Sequence, residues 1–183
     1  MAFWFFALLL FAVGDSKPAN PINQSHLQSA MADMRKGSYH GFVLLLKIVN
    51  NSIPDSLRNS DITFFMPNDE ELSEATITSD HLPEFIFSHS MPTALHLTHL
   101  LHLPNGTLVP SNIPSKIINV TNSKRSGLFV NNAKIVTPDV CGSSTIRCHG
   151  ISTTMRFENF MVTTKKCNRF DPPTDLQMTP TQH

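Results

Sequence analysis

The stretch 62-ITFFMPNDEEL-72 changes character at its middle. Ile62-Thr63-Phe64-Phe65-Met66 is rich in β-branched and aromatic residues, and Pro67 ends it, because proline cannot donate to a ladder. Asn68 or Asp69 then offers a side-chain acceptor to the orphan N–H groups of a helix start. The following acidic residues favour the positive end of that helix. The spacing predicts a strand, a proline stop and a short acidic helix running through Leu72.

Upstream of it, Leu27, Met31 and Met34 recur at helical spacing, with Ser25 placed to cap the helix and Gly37 to end it. Tyr39 to Asn50 reads as a second, more apolar helix. Downstream, His81–Ser90 and Ala94–Leu101 read as helical pieces separated by Pro92. The period then changes. Lys116–Thr121, Gly127–Val130, Ala133–Val136 and Thr145–Cys148 are short β-prone runs, and Asn131-Asn132 supplies a hairpin turn between the middle two. Phe157–Thr164 reads as one further strand. Helices first and strands later define an α+β domain. Phe64, Met66, Phe129, Val130 and Ile135 are its expected core, with Leu44 and Leu45.

The chain of 183 residues holds one domain with short tails. Lys+Arg and Asp+Glu both number 14, so no basic field exists to draw phosphate backbones, and general nucleic-acid binding is excluded as an expectation. Ala2–Val13, AFWFFALLLFAV, is too short to span a bilayer and suits the apolar region of a signal peptide, with small residues at Ala12 and Gly14 for cleavage after Gly14. The expected organisation is a signal peptide over 1–14, a polar lead-in over 15–24, the domain over 25–165, and a polar proline-containing tail over 166–183. No hydrophobic run follows that tail, so neither a glycolipid anchor nor stable membrane insertion is expected after signal removal.

Four N-x-[ST] sequons, at Asn23, Asn50, Asn105 and Asn119, agree with export. Asn105 is favoured because Pro104-Asn105-Gly106-Thr107 has turn chemistry. In an oxidising compartment Cys141, Cys148 and Cys167 allow one disulfide and a spare thiol. Cys141–Cys148 is preferred, since Gly142-Ser143-Ser144 can reverse the chain, and Cys148–Cys167 is the alternative.

Several boxes in order then resemble one family. Thr63-Phe64-Phe65-Met66-Pro67-Asn68-Asp69 resembles the first signature of the fasciclin (FAS1) domain. Phe87-Ser88-His89-Ser90-Met91-Pro92 resembles its central motif around a histidine, with His89 and Pro92 at the matching positions. Leu100–Pro110 is similar to the leucine-rich turn of plant members. Leu128–Ile151, with Ile146-Arg147-Cys148-His149-Gly150-Ile151, is similar to the second conserved box and its His149-Gly150 pair. The Cys-His-Gly-Ile ending looks like plant fasciclin-like arabinogalactan proteins. The resemblance implies a single domain in which a β-wedge or sandwich of short strands packs with N-terminal and central helices. It also implies a non-catalytic, secreted glycoprotein of the cell wall or matrix, with polysaccharide or a matrix or cell-surface protein as partner and no cofactor. Ser88 stands where an aromatic precedes the histidine in the Tyr-His adhesion motif of animal members, and the clustered Ala/Ser/Thr-Pro pairs that carry arabinogalactan are nearly missing.

The competing reading is a secreted metal-dependent hydrolase built on His96, His99 and His102. Adjacent members of H-x-x-H-x-x-H approach each other on a helix, but the outer two drift about 120° apart, so no metal site is expected. No P-loop, dinucleotide fingerprint, nucleophile elbow or H-E-x-x-H occurs. His89 is expected as a hydrogen-bonding framework residue, and Asp69, Glu70, Glu71 and Glu74 as a helix start suited to the dipole rather than a calcium site.

Overall fold

The computed structural model describes residues 21–50 and 61–157, with side chains from Ser25 onward. Two helices come first among the described residues, α1 (Pro21–Lys36) and α2 (His40–Val49). The pivotal stretch forms strand β1 (Ile62–Pro67) and the short helix α3 (Asp69–Glu74). A 3-10 turn (Ser79–His81) leads into α4 (Leu82–Ser88), followed by β2 (Ser90–Met91), α5 (Leu97–His102), β3 (Thr107–Pro110), β4 (Ile117–Ser123), β5 (Gly127–Val130), β6 (Ala133–Thr137) and β7 (Ile146–Ile151).

The seven strands form one sheet in the order β2-β1-β7-β6-β5-β4-β3. All its pairs are antiparallel except β1 with β7, which run parallel from Ile62 opposite Ile146 to Pro67 opposite Ile151. The register shifts between Ile135 and Thr137, so β6 turns a corner between two ladders, as bulged strands do. Beyond β3, Asn112 N–H donates to the Ser90 carbonyl of β2 (3.0 Å), and the Asn112 side chain reaches Ser90 Oγ (2.8 Å). The two ends of the sheet are thereby brought together and the wedge nearly closes.

β1 is buried along its whole length because it separates two cores. Ile62, Phe64 and Met66 face α1, α2 and α4, packing with Met34, Phe42, Leu46 and Ile86. Phe65 faces the other way, into the core enclosed by the sheet with Met91, Leu100, Ile118, Val130 and Ile151. A strand covered on both faces is apolar nearly throughout rather than at alternate positions, and its one polar side chain, Thr63, is buried with its hydroxyl hydrogen-bonded. Cys141 and Cys148 are joined in a disulfide with Cα atoms 5.1 Å apart, which pins the strand-free 138–145 segment to β7. Asn131 takes up a positive φ of 54°, as the two-residue β5–β6 hairpin requires.

Several expectations need correcting. Helix α1 begins at Pro21, not at Ser25, so residues 21–24 of the expected lead-in are helical. Proline suits a first helical turn, where its missing N–H would be unpaired in any case. Leu44 is 59% exposed, because α2 turns Phe42, Val43, Leu46 and Val49 inward and Leu45 reaches only the core's margin. Phe129 is half-buried and Leu128 takes the core position, since Val130 and Phe129 cannot share a face at a period of two. α5 starts at Leu97, not Ala94, because Thr63 holds the 93–95 segment by the Thr93 carbonyl and Leu95 N–H. α4 ends at Ser88, and Ser90 passes into β2. Strands β2 and β3 have no counterpart in the sequence reading. Of Phe157–Thr164 only Phe157, outside any strand, lies within the described residues, and Cys167 lies outside them.

Candidate functional site

The first box is a set of anchors. Thr63 Oγ1 donates to the Thr93 carbonyl (2.6 Å) and accepts from Leu95 N–H (2.9 Å), fixing the loop after β2. Phe64 meets Phe42 edge to face. Phe65 stacks on His149 at a centroid distance of 5.9 Å. Asn68 caps α3 by accepting from Glu71 N–H (2.8 Å). Asp69 instead reaches across to α2 and accepts from Gly41 N–H at 2.8 Å, so it caps a helix other than its own. This agrees with the helix-start expectation and adds a long-range partner that spacing does not reveal.

The two boxed histidines are buried, and each has both ring nitrogens engaged. A backbone N–H can only donate, so the partners fix the tautomers. Met155 N–H donates to His89 Nε2 (2.9 Å), leaving the proton on Nδ1, which donates to the Phe85 carbonyl (2.9 Å). His149 is the opposite tautomer: Asp139 N–H donates to Nδ1 (3.1 Å), and Nε2–H donates to the Leu95 carbonyl (2.8 Å). Burial lowers both pKa values, that of His89 to about 4. The Phe85 carbonyl partly opposes the shift and Lys116 adds to it. For His149 the Leu95 carbonyl and the Asp139 carboxylate oppose the lowering by burial. Both imidazoles are neutral cross-links: His89 ties α4 to the 152–157 segment, and His149 ties β7 to the segment preceding α5.

Gly150 is required by close approach. A Cβ there would fall inside the Tyr39 phenol and 3.0 Å from Thr137 Cβ. Pro92 is exposed just after β2.

His96, His99 and His102 do not converge. His96 is the N-cap of α5, with Nδ1 3.4 Å from Asp139 Oδ1. His99 Nδ1 accepts from His96 N–H (3.3 Å), and His102 Nδ1–H donates to the Thr98 carbonyl (2.6 Å). Among the described residues no group of three or more His, Cys, Asp or Glu is arranged to hold a metal ion.

An open groove of about 390 Å³ lies over the Ser88-His89 pair. Phe85, Glu84 and His81 of α4 and its lead-in form one wall, with Thr154, Met155 and Phe157 opposite and Lys116 between. Lys116 Nζ is 3.1 Å from Glu84 Oε1 and 5.3 Å from the centre of the Phe157 ring. The far wall is held by the hairpin asparagines. Asn131 Nδ2 donates to the Arg156 carbonyl, while Asn132 donates to the Thr154 carbonyl and accepts from Arg156 N–H. Ser88, in the position occupied by an aromatic in the resembled motif, is buried and turns its hydroxyl to the Phe85 carbonyl (2.9 Å). Sequence reasoning found Ser88 and His89 but not Phe85, Lys116 or Phe157, which come from three separate segments with no shared motif.

The sequons scatter. Asn23 lies in the first turn of α1, and Asn50 follows α2 as its C-cap, with Ser52 of its triplet outside the described residues. Asn105 is exposed in the turn before β3, its side-chain oxygen accepting from Asn122 N–H (2.8 Å). Asn119 is exposed in mid-strand on β4.

The fold and the groove together define an α+β module with histidine-pinned boxes. The fasciclin domain model matches residues 38–156, about two thirds of the chain, and the chain belongs to that family. It is 26% identical over 140 residues to fasciclin-like arabinogalactan protein 19 of Arabidopsis thaliana, covering 74% of this chain and 56% of that protein. The chain thus spans little more than half the length of this relative. Its fold is similar to that of a FAS1 domain pair from the insect cell adhesion molecule fasciclin I, with a TM-score of 0.54 and 12% identity over 66% of this chain and 46% of that one.

Proposed function

We propose that the chain is an exported, non-catalytic glycoprotein module of the extracellular matrix or cell wall, and that it binds polysaccharide or a matrix protein through the groove over Ser88-His89. The observation that carries the reading is the state of the two boxed histidines. Each is neutral, with both nitrogens committed to backbone partners, an arrangement that suits a scaffold and leaves neither nitrogen available for proton transfer. The groove over His89 is lined by Phe85 and Phe157 with polar groups from Lys116, Glu84, His81 and Thr154. Aromatic side chains beside hydrogen-bonding groups suit hydroxyl-rich chains and protein loops. Export is supported by the apolar Ala2–Val13 run, the sequons and the Cys141–Cys148 disulfide. Among the described residues no helix is long and apolar enough to cross a membrane.

The test is retention of the secreted protein on immobilised cell-wall polysaccharides and matrix proteins at physiological salt. Wild type is expected to be retained, and Phe157→Ser with Lys116→Glu to pass through. Absence of retention on every matrix, or equal retention of the variant, overturns the reading.

A further inference from the structure

The outer face of the sheet at its β3 end carries apolar side chains around one sequon. On β4, Ile118 and Val120 point into the core, so Asn119 and Thr121 point outward. Leu108, directly opposite Asn119 on β3, is 58% exposed. Phe129, directly opposite Thr121 on β5, is only half-buried on the same outer face, with Lys134 beside it on β6. Val136, also on β6, is 52% exposed. Directly opposed Cβ atoms stand about 5 Å apart and diagonal ones about 7–8 Å, so Leu108 and Phe129 both flank the Asn119 side chain. β3 is moreover the terminal strand of the sheet order, which leaves an apolar face next to a strand edge of the kind that pairs with other chains.

Asn119 itself is held ready. Its backbone N–H donates to Asn131 Oδ1 and its carbonyl accepts from Asn131 N–H, both at 2.8 Å, while its side-chain amide makes no hydrogen bond with the described residues. The sequon hydroxyl of Thr121 lies on the same face. At Asn105 the side-chain oxygen accepts from Asn122 N–H, and among the described residues no apolar side chain stands opposite it in a ladder.

We propose that Asn119 carries an N-linked glycan whose inner sugars lie over Leu108 and Phe129, covering the outer face of β3–β5 and keeping the module from associating through it. A sugar attached to the Asn119 amide covers the apolar groups and keeps the surface wet, whereas the bare face leaves Leu108 and Phe129 free to meet a second copy. The inference rests on the export reading above.

The test uses the full chain secreted from a glycosylating eukaryotic host, with site occupancy from mass spectrometry and self-association from sedimentation velocity. Wild type is expected to be occupied at Asn119 and monomeric. Asn119→Gln is expected to raise the self-associated fraction several-fold, and Leu108→Ser added to it to restore the monomer. Asn119 bare while other sequons are occupied, or Asn119→Gln as monomeric as wild type, overturns this inference alone. Association of Asn119→Gln that Leu108→Ser does not reverse also overturns it, and points to contact through the β3 edge instead. An uncleaved leader with every sequon bare overturns the export reading and this inference together.

Discussion

Replacing His89 with glutamine isolates the contribution of a single buried imidazole to acid stability. In the folded protein His89 has a pKa of about 4, against an ordinary value of 6.5 in the unfolded chain. The unfolded state therefore binds a proton that the folded state refuses between those two values, and stability rises with pH across that window. The contribution is fully present above pH 6.5, declines as pH falls, and levels off below about 4. At roughly 1.4 kcal/mol per pH unit the full span is worth about 3 kcal/mol, of which about 2 kcal/mol is lost between pH 8 and pH 5. Glutamine keeps an acceptor for Met155 N–H and does not titrate. It loses the bond to the Phe85 carbonyl and some packing, so the variant is expected to be less stable by about 1–2 kcal/mol at pH 8. Urea unfolding followed by far-UV circular dichroism, from pH 8 to pH 4.5 with the disulfide intact, gives both quantities. His149 and the surface carboxylates are common to the two proteins, so their share cancels in the difference. The curves of wild type and variant are expected to converge as pH falls. Parallel curves, with the same loss between pH 8 and pH 5 in both, would refute the assignment of acid sensitivity to His89.

Gly150→Ala places a methyl group inside the space of the Tyr39 phenol and against Thr137. Overpacking of this kind costs about 1–3 kcal/mol or more, and a thermal melt several degrees below wild type is the expected readout. Asp69→Ala removes the acceptor for Gly41 N–H and is expected to cost about 1 kcal/mol in urea unfolding, while Asp69→Asn keeps an acceptor oxygen and retains most of it.

The sequence made the local events legible and left the long-range ones hidden. The strand, proline stop and Asn68 cap of the central stretch follow from side-chain chemistry within eight residues, and they stand as expected. So does the Asn131-Asn132 hairpin, because its backbone demand is local. β2 is only two residues long, and β3 is a four-residue edge strand ending in Pro110. Neither carries a periodicity that could be recognised, and both exist because a neighbour supplies the ladder. Leu44 was misplaced because α2 is apolar nearly all round, so hydropathy could not say which stripe faces inward. At the candidate site, His89 and His149 could be singled out, but not the distant backbone groups that complete their bonding, Met155 N–H 66 residues from His89 and the Leu95 carbonyl 54 from His149. Lys116 and Phe157 meet only through folding and carry no local signal.

The parallel pairing of β1 with β7 sets an order of events during synthesis. β1 emerges early, buried on both faces in the finished fold, while the strand that completes its ladder comes from the far end of the domain. Until β7 is made, β1 has the covering of α1 and α2 but an unfilled edge along its full length. A chain stopped short of Ile146 would leave β1 unpaired along the edge that β7 fills, with only the two residues of β2 on the other side. The disulfide closes at Cys148 within β7 itself, opposite Phe64 of β1, so oxidation sits at the step where this hazard ends.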